Sequence, residues 1–175
     1  MKSYTKEEVE KIEFKGEKRF LSNMFETKII FDDMFDIEIE DVEPTFLTYK
    51  SSEHLYQALK SKSILWHYKL IELTPLETKN IARKKLKTLL ADNKETFLIR
   101  EDWDKIKINV MKLVLLLKFK QNKELAKKLK NLKGNIEEKN IWNDRFWGTV
   151  EGIGENNLGK LLMEIRELLI KEELR

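Results

Sequence analysis

The sequence has no cysteine among its 175 residues, and its only histidines are His54 and His67. The lack of cysteine excludes disulfide bonds, thiolate catalysis and zinc sites built on thiolates. Two histidines cannot hold a metal ion without help from carboxylates. We therefore expect neither a metal site nor a bound cofactor.

Long hydrophobic runs and a strong charge of one sign are also missing. No apolar run approaches the length of a membrane-spanning helix, and the first residues contain no apolar stretch of signal-peptide length. The 34 basic and 31 acidic residues are interspersed and leave a formal charge of only +3. This balance is not typical of a protein that coats nucleic acid. We expect a cytoplasmic protein with no membrane partner, and the oligomeric state stays open.

The composition, with 41% hydrophobic and 37% charged residues, is typical of a globular protein. The chain length suits a single domain over residues 1–175, with its core at about 14–172. β-Branched and aromatic residues predict short strands near the N-terminus, and the pair Asp32-Asp33 predicts a hairpin turn between two of them. The predicted strands are 17–21, 27–31, 35–39 and 46–49.

The rest of the chain shows helical periodicity. The stretch Thr74-Pro75-Leu76-Glu77 is a capping box with proline at the first helical position, so a helix begins there. Leucine stripes mark further amphipathic helices. The predicted helices are 63–73, 75 to about 90, 103–120, about 125–132 and 157–174. The fold class is therefore α+β and mostly α-helical, with a small N-terminal antiparallel sheet followed by a helical core.

The stretch from Tyr49 to Lys60 combines a helix start with a polar stripe. Ser51 or Ser52 is a good N-cap, which predicts a helix from Glu53 onward. On such a helix four residues at i, i+3, i+4 and i+7 share one face. They are Glu53, Tyr56, Gln57 and Lys60. In the first helical turn the ionised carboxylate of Glu53 is favoured. The pattern alone also fits an ordinary solvated helix face.

Residues 136–157 form the longest stretch without clear periodicity, and loops of this length in a compact domain are often functional. The stretch holds Trp142 and Trp147 and several glycines, which permit close backbone approach to a ligand. At its end, Asn156 and Asn157 precede the last helix. The free amides of that helix terminus predict a site suited to a phosphate.

Three motifs occur in order and span nearly the whole chain. The first is Phe-Leu-Ser-Asn at 20–23, the second is Ser-Glu-His-Leu-Tyr-Gln-Ala-Leu-Lys at 52–60, and the third joins Asp-Arg-Phe-Trp-Gly at 144–148 to Gly-Glu-Asn-Asn-Leu-Gly at 154–159 and Leu-Met-Glu-Ile-Arg at 162–166. Together they resemble the NADAR superfamily, also called YbiA-like. Met24 departs from the aromatic residue usual at that position, and Lys50-Ser51 stands where Pro-Thr is common. These departures bear on substrate identity.

The resemblance implies an N-glycosidase. Characterised relatives cleave phosphoribosylamino-pyrimidine intermediates of riboflavin synthesis or remove ADP-ribose from guanine in nucleic acid. Carried onto matching positions, the catalytic candidates are Glu53, Lys60 and Asp144. The substrate-binding candidates are Ser22, Asn23, Tyr56, Gln57, Arg83, Trp147, Gly148 and Asn157.

Within this interpretation Glu53 stabilises an oxocarbenium-like transition state or activates water. Lys60 either protonates the leaving base or attacks the ring-opened sugar as a Schiff-base nucleophile. The partner is a ribose-phosphate or ADP-ribose small molecule, or ADP-ribosylated guanine in nucleic acid. Two other hypotheses stay open, a non-catalytic module that senses ADP-ribose or NAD, and a helical structural protein.

Overall fold

The computed structural model describes residues 11–32, 39, 46–87 and 97–174 of this chain. The strands are β1 (Lys11–Glu13), β2 (Glu26–Phe31), β3 (Leu47–Ser51), β4 (Leu86–Lys87), β5 (Phe97–Leu98) and β6 (Asn135–Glu137). The helices are α1 (Ser52–Ala58), α2 (Ile64–Ile71), α3 (Pro75–Lys85), α4 (Trp103–Gln121), α5 (Lys123–Asn131) and α6 (Asn157–Glu173). These elements confirm the predicted α+β, mostly helical class with a small antiparallel sheet.

The chain divides into two compact units. One runs from Ser22 to Leu125, and the other combines the described residues up to Leu21 with those from Ala126 onward. The prediction of a single domain over residues 1–175, with its core at 14–172, stays a prediction. In the described part of the chain, each helix is too short or too polar to cross a membrane.

In the unit from Ser22 to Leu125, β2 and β3 pair antiparallel, with Ile29 opposite Tyr49 and Phe31 opposite Leu47. These four side chains are buried while the intervening Thr48 is exposed, so one face of the sheet packs against the core. The strand predicted at 46–49 is thereby confirmed with a shift of one or two residues. The strand predicted at 35–39 lies outside the described residues except for Ile39.

The helix α3 begins as predicted and ends early. Both hydrogen bonds of the capping box between Thr74 and Glu77 are present, with Pro75 at the first position. The prediction that the helix continues to about residue 90 is wrong. Leu86 is extended and pairs in parallel with Phe97, because a pairing partner distant in the sequence replaces the next helical turn.

In the other unit, β1 pairs in parallel with β6, and Ile12 lies opposite Ile136 with both side chains fully buried. The strand predicted at 17–21 is wrong, because Gly16–Leu21 forms a 3-10 helix that buries Phe20 and Leu21. The last helix, α6, packs on β6 and buries its apolar stripe as predicted, except for Leu168, which is exposed.

Candidate functional site

The helix α1 is held at both ends by segments from elsewhere in its unit. All seven of its residues are buried. The four hydrogen bonds that fix it are Glu53 N to Asn23 O (2.9 Å), His54 Nε2 to Leu73 O (2.9 Å), Trp66 Nε1 to Gln57 O (2.9 Å) and Arg100 N to Lys60 O (2.8 Å). These partners come from four different segments of the unit, so the backbone of α1 and of the turn after it is fixed in place.

The start of α1 explains the Ser-x-x-His spacing in the sequence. Ser51 is the N-cap, and its hydroxyl accepts from the His54 amide at 3.3 Å. The Leu73 carbonyl can only accept, so Nε2 of His54 carries the proton, and Nδ1 accepts from the Ser51 hydroxyl at 2.8 Å. Of the two predicted caps, Ser51 is therefore the one used, and the helix begins one residue earlier than expected.

The polar stripe is buried. Glu53, Tyr56 and Gln57 are 7%, 5% and 6% exposed, so the stripe is not a solvated helix face. The Gln57 Nε2 donates to Glu53 Oε1 at 2.8 Å, which orients the carboxylate. The Gln57 Oε1 and Asn23 Oδ1 are both buried and have no hydrogen-bond partner among the described residues. Because buried polar atoms are nearly always paired, these two acceptors without partners suit a bound molecule that supplies donors.

Lys60 lies in the turn after α1, which ends at Ala58, so the prediction that Lys60 belongs to this helix is wrong. Its half-buried side chain nevertheless reaches the same region. The Nζ lies 5.2 Å from the centroid of the Tyr56 ring and 5.7 Å from that of Trp103. The two rings are tilted against each other at 5.1 Å. Lys60 is thus held by cation–π contacts.

The surroundings of Lys60 shift the pKa of its ammonium. Burial lowers the pKa of the Lys60 ammonium from its ordinary value, and the positive charges of Lys79 and Lys107 lower it further, whereas the Glu53 carboxylate raises it. A lowered pKa increases the fraction of neutral amine at neutral pH, which both proton transfer and nucleophilic attack require.

Two other predicted residues lie in the same unit. Ser22 is half-buried at the turn before β2, and its hydroxyl accepts from the Met24 amide at 3.1 Å. Arg83 is exposed on α3, one turn beyond Lys79 on the same face of the helix.

The remaining predicted residues lie in the other unit and form a hydrogen-bonded loop. The Asp144 Oδ1 accepts from the amides of Phe146 (3.1 Å) and Trp147 (2.9 Å), so this carboxylate stabilises a turn. The half-buried Trp147 packs edge-on against Phe146, with ring centroids 4.9 Å apart. The Asn157 Nδ2 donates to the Phe146 carbonyl at 2.9 Å.

The glycines of this loop permit close packing of protein backbone. A Cβ on Gly148 would overlap the Glu138 carbonyl, and a Cβ on Gly154 would overlap the Gly148 carbonyl. Close packing of the backbone therefore explains both glycines without a ligand. A role for Gly148 in substrate binding stays a prediction.

The phosphate site predicted at the start of α6 is wrong. The amides of residues 155–158 donate to the carbonyls of residues 145–148, at 2.7 to 3.3 Å. These donors are consumed by the protein because the loop folds back onto the helix terminus. The sequence could not show this, since it depends on the path of the preceding loop.

The structure thus brings Asn23, Glu53, Tyr56, Gln57 and Lys60 together around α1 and gathers Asp144, Trp147, Gly148 and Asn157 in a second cluster. That both clusters serve one substrate stays a prediction. In the part of the chain that is described, no three His, Asp or Glu side chains come together in an arrangement that could hold a metal ion.

Sequence reasoning missed Lys118 on α4. Its side chain is fully buried, and its Nζ donates to the Ser22 carbonyl at 2.9 Å. The Nζ lies 5.8 Å from the centroid of the Phe25 ring and 5.4 Å from that of Phe119. Burial lowers the pKa of Lys118 to about 7. The only signal in the sequence is a lysine inside an apolar run, Leu-Leu-Leu-Lys-Phe at 115–119. Lysine is seldom buried, so the pattern alone favours an exposed position.

The fold and the site define a mostly helical α+β protein with a buried acid, a buried amide and a half-buried amine at one short helix. The chain belongs to the NADAR domain family, whose model matches residues 12–170. The solved structure of the Escherichia coli protein YbiA has a TM-score of 0.69 and 27% identity to this chain, covering 94% of this chain and 88% of that one.

Curated relatives carry two kinds of name. N-glycosidase YbiA of Escherichia coli (strain K12) is 29% identical over 154 residues, which is 86% of this chain and 89% of that protein. The chloroplastic riboflavin biosynthesis protein PYRR of Zea mays is 31% identical over 143 residues, 77% of this chain. This chain matches only 22% of the maize protein.

Proposed function

We propose that this protein is an N-glycosidase that hydrolyses the C1′–N bond of a phosphoribosylated or ADP-ribosylated base. The observation that carries the proposal is the buried Glu53–Gln57 pair beside Lys60, an amine whose pKa burial lowers. The names of the relatives support both the reaction type and a link to riboflavin precursors.

Glu53 acts on the sugar. As the C1′–N bond breaks, positive charge develops on the ribose ring, and an ionised carboxylate stabilises it. The same carboxylate orients or deprotonates the water that adds to C1′. The hydrogen bond from Gln57 holds Glu53 in one orientation, so little reorganisation is needed during the reaction.

Lys60 acts on the base or on the sugar. In the first route its ammonium protonates the departing nitrogen, and the water completes the hydrolysis. In the second route the sugar ring opens to an imine between C1′ and the base, the neutral Lys60 amine adds to C1′, and the C1′–N bond breaks as the base leaves with a proton. Water then hydrolyses the resulting Lys60 Schiff base to the free amine and the free sugar. The lowered pKa is compatible with both routes. Asp144 remains a catalytic candidate in this proposal, and Trp147, Gly148 and Asn157 remain candidates for substrate binding.

The test is direct assay of the purified protein on two substrates, a phosphoribosylamino-pyrimidine and DNA that carries ADP-ribosylated guanine. Mass spectrometry detects the released base, and turnover of one substrate identifies the class. If ADP-ribose raises the melting temperature while neither base is released, the protein is a binding module and the glycosidase proposal fails.

We expect Glu53→Gln to lower kcat by about 10²- to 10⁴-fold, because the amide can neither stabilise the cation nor activate water. The matched control is Glu72→Gln, an exposed carboxylate in the same unit, which should leave kcat unchanged. Equal activity of Glu53→Gln and the control would exclude Glu53 from the reaction.

The two routes through Lys60 are separated by borohydride reduction during turnover. The Schiff-base route predicts a covalent adduct on Lys60 in the wild-type protein and none in Lys60→Ala. The proton-transfer route predicts no adduct, and Lys60→Ala then loses less activity on substrates whose leaving base needs no protonation.

A further inference from the structure

Arg100 has a hydrogen-bonding group that the protein itself does not use. Its side chain is 6% exposed, and its Nε and Nη2 donate to the two carboxylate oxygens of Asp102 at 2.6 and 3.1 Å. Its Nη1 is buried and has no partner in the described part of the chain. A buried charged donor without an acceptor is strongly unfavourable, so this atom indicates a missing acceptor.

The backbone places Arg100 beside the candidate site. Its amide donates to the Lys60 carbonyl at 2.8 Å, and its own carbonyl accepts from the Trp103 amide at 3.1 Å. Trp103 is the residue whose ring lies under the Lys60 ammonium. Arg100 is therefore fixed between the turn that carries Lys60 and the start of α4.

The start of α4 adds a second favourable feature for an anion. Asp102 is the N-cap residue of this 19-residue helix, yet its side chain makes no capping hydrogen bond. Its carboxylate instead binds Arg100. Asp102 therefore does not cap the backbone amides at the positive end of the helix dipole, as an N-cap side chain usually does.

Several lysines lie around this point. The charges of Lys79 and Lys107 act on Lys60, and that of Lys62 acts on Asp102. The carboxylates of Asp102 and Asp104 pair with Arg100 and Lys107, and the neighbouring Glu101 is exposed. Lysines around a buried guanidinium favour a ligand with negative charge.

We propose that Arg100, together with Lys60, forms a subsite for a phosphate group of the substrate, an inference that rests on the proposed function. The planar guanidinium suits phosphate oxygens, and Asp102 holds it in place while Nη1 remains available. The phosphate contact then comes from a buried arginine of the turn before α4 and not from the exposed Arg83.

The test compares ribose 5-phosphate with ribose by calorimetric titration. We expect the wild-type protein to bind ribose 5-phosphate more tightly than ribose, and Arg100→Gln to weaken the phosphate ligand by about 10- to 100-fold while ribose is unaffected. The matched control, Arg19→Gln at an exposed arginine of the other unit, should leave both affinities unchanged. The inference is overturned if the wild-type protein shows no preference for the phosphate, or if Arg100→Gln retains it.

Arg100→Gln also removes the partner of Asp102, so a second variant guards against misfolding. Arg100→Lys keeps a cation beside Asp102 and loses the second arm of the fork, and we expect it to fold while binding ribose 5-phosphate about 10-fold more weakly. Wild-type affinity in this variant would overturn the inference.

The glycosidase assay separates this inference from the proposed function. If binding depends on Arg100 but no base is released, the phosphate subsite is supported and the glycosidase proposal fails. If both Arg100 variants hydrolyse the substrate with an unchanged KM, the glycosidase proposal is supported and the phosphate subsite is overturned.

Discussion

At the scale of single residues, Lys118 makes the stability of the protein depend on pH. Its pKa is about 7 in the folded state, whereas the ordinary value of a lysine, 10.5, applies to the unfolded chain. Between these values the unfolded chain binds more protons than the folded one, so the free energy of unfolding rises with pH. Below pH 7 both states carry the charge, and the destabilisation by burial is fully present.

We expect Lys118→Met to remove this rise, because methionine fills a similar volume without a titrating group. Urea unfolding at several pH values from 7 to 10 should show a smaller slope for the variant than for the wild-type protein. Lys120→Met, an exposed neighbour on α4, is the control and should keep the wild-type slope. Identical slopes for Lys118→Met and wild type would show that the folded pKa is not lowered.

At the scale of elements, a substitution at the N-cap of α1 tests how this helix is stabilised. We expect Ser51→Ala to lower the free energy of unfolding by about 1 to 2 kcal/mol, because it removes the cap and leaves His54 Nδ1 without its donor. The control is Ser63→Ala at the start of α2, where the serine makes no capping hydrogen bond. Its effect should stay within about 0.5 kcal/mol, and equal effects of the two substitutions would contradict the prediction.

The packing of α6 on β6 reverses a general rule for glycine in helices. Replacing a helical glycine by alanine usually stabilises a protein by about 1 kcal/mol. A Cβ on Gly159 would overlap the Ile136 carbonyl, so we expect Gly159→Ala to destabilise by about 1 to 3 kcal/mol. Denaturant unfolding measures the sign, and Lys160→Ala on the exposed side of the same helix should be nearly neutral. A stabilising Gly159→Ala would show that α6 can move away from β6.

At the scale of the whole molecule, the two compact units raise the question of cooperativity. The NADAR family model runs from residue 12 to 170 and so passes through both units. The single-domain prediction therefore expects one calorimetric transition whose calorimetric and van't Hoff enthalpies agree. Two resolved transitions would mean that the units unfold independently, and the single-domain prediction would then be wrong.

The sequence by itself determined the features that depend on neighbours along the chain. The capping box at Thr74 and a cap at Ser51 or Ser52 follow from local hydrogen bonds. The limits of α4 and α6 follow from helical periodicity. The family motifs are also local, and they led to the NADAR assignment that the family model confirms.

Only the tertiary structure decided the burial, the pKa values and the hydrogen-bond partners of individual residues. The burial of Glu53, the lowered pKa of Lys60 and Lys118, and the orphan donor of Arg100 all depend on groups brought from distant parts of the chain. The short parallel pair β1–β6 and the occupied amides before α6 arise in the same way. The physical reason is that solvation and electrostatic interaction depend on distance in space, which a linear pattern of residue types does not specify.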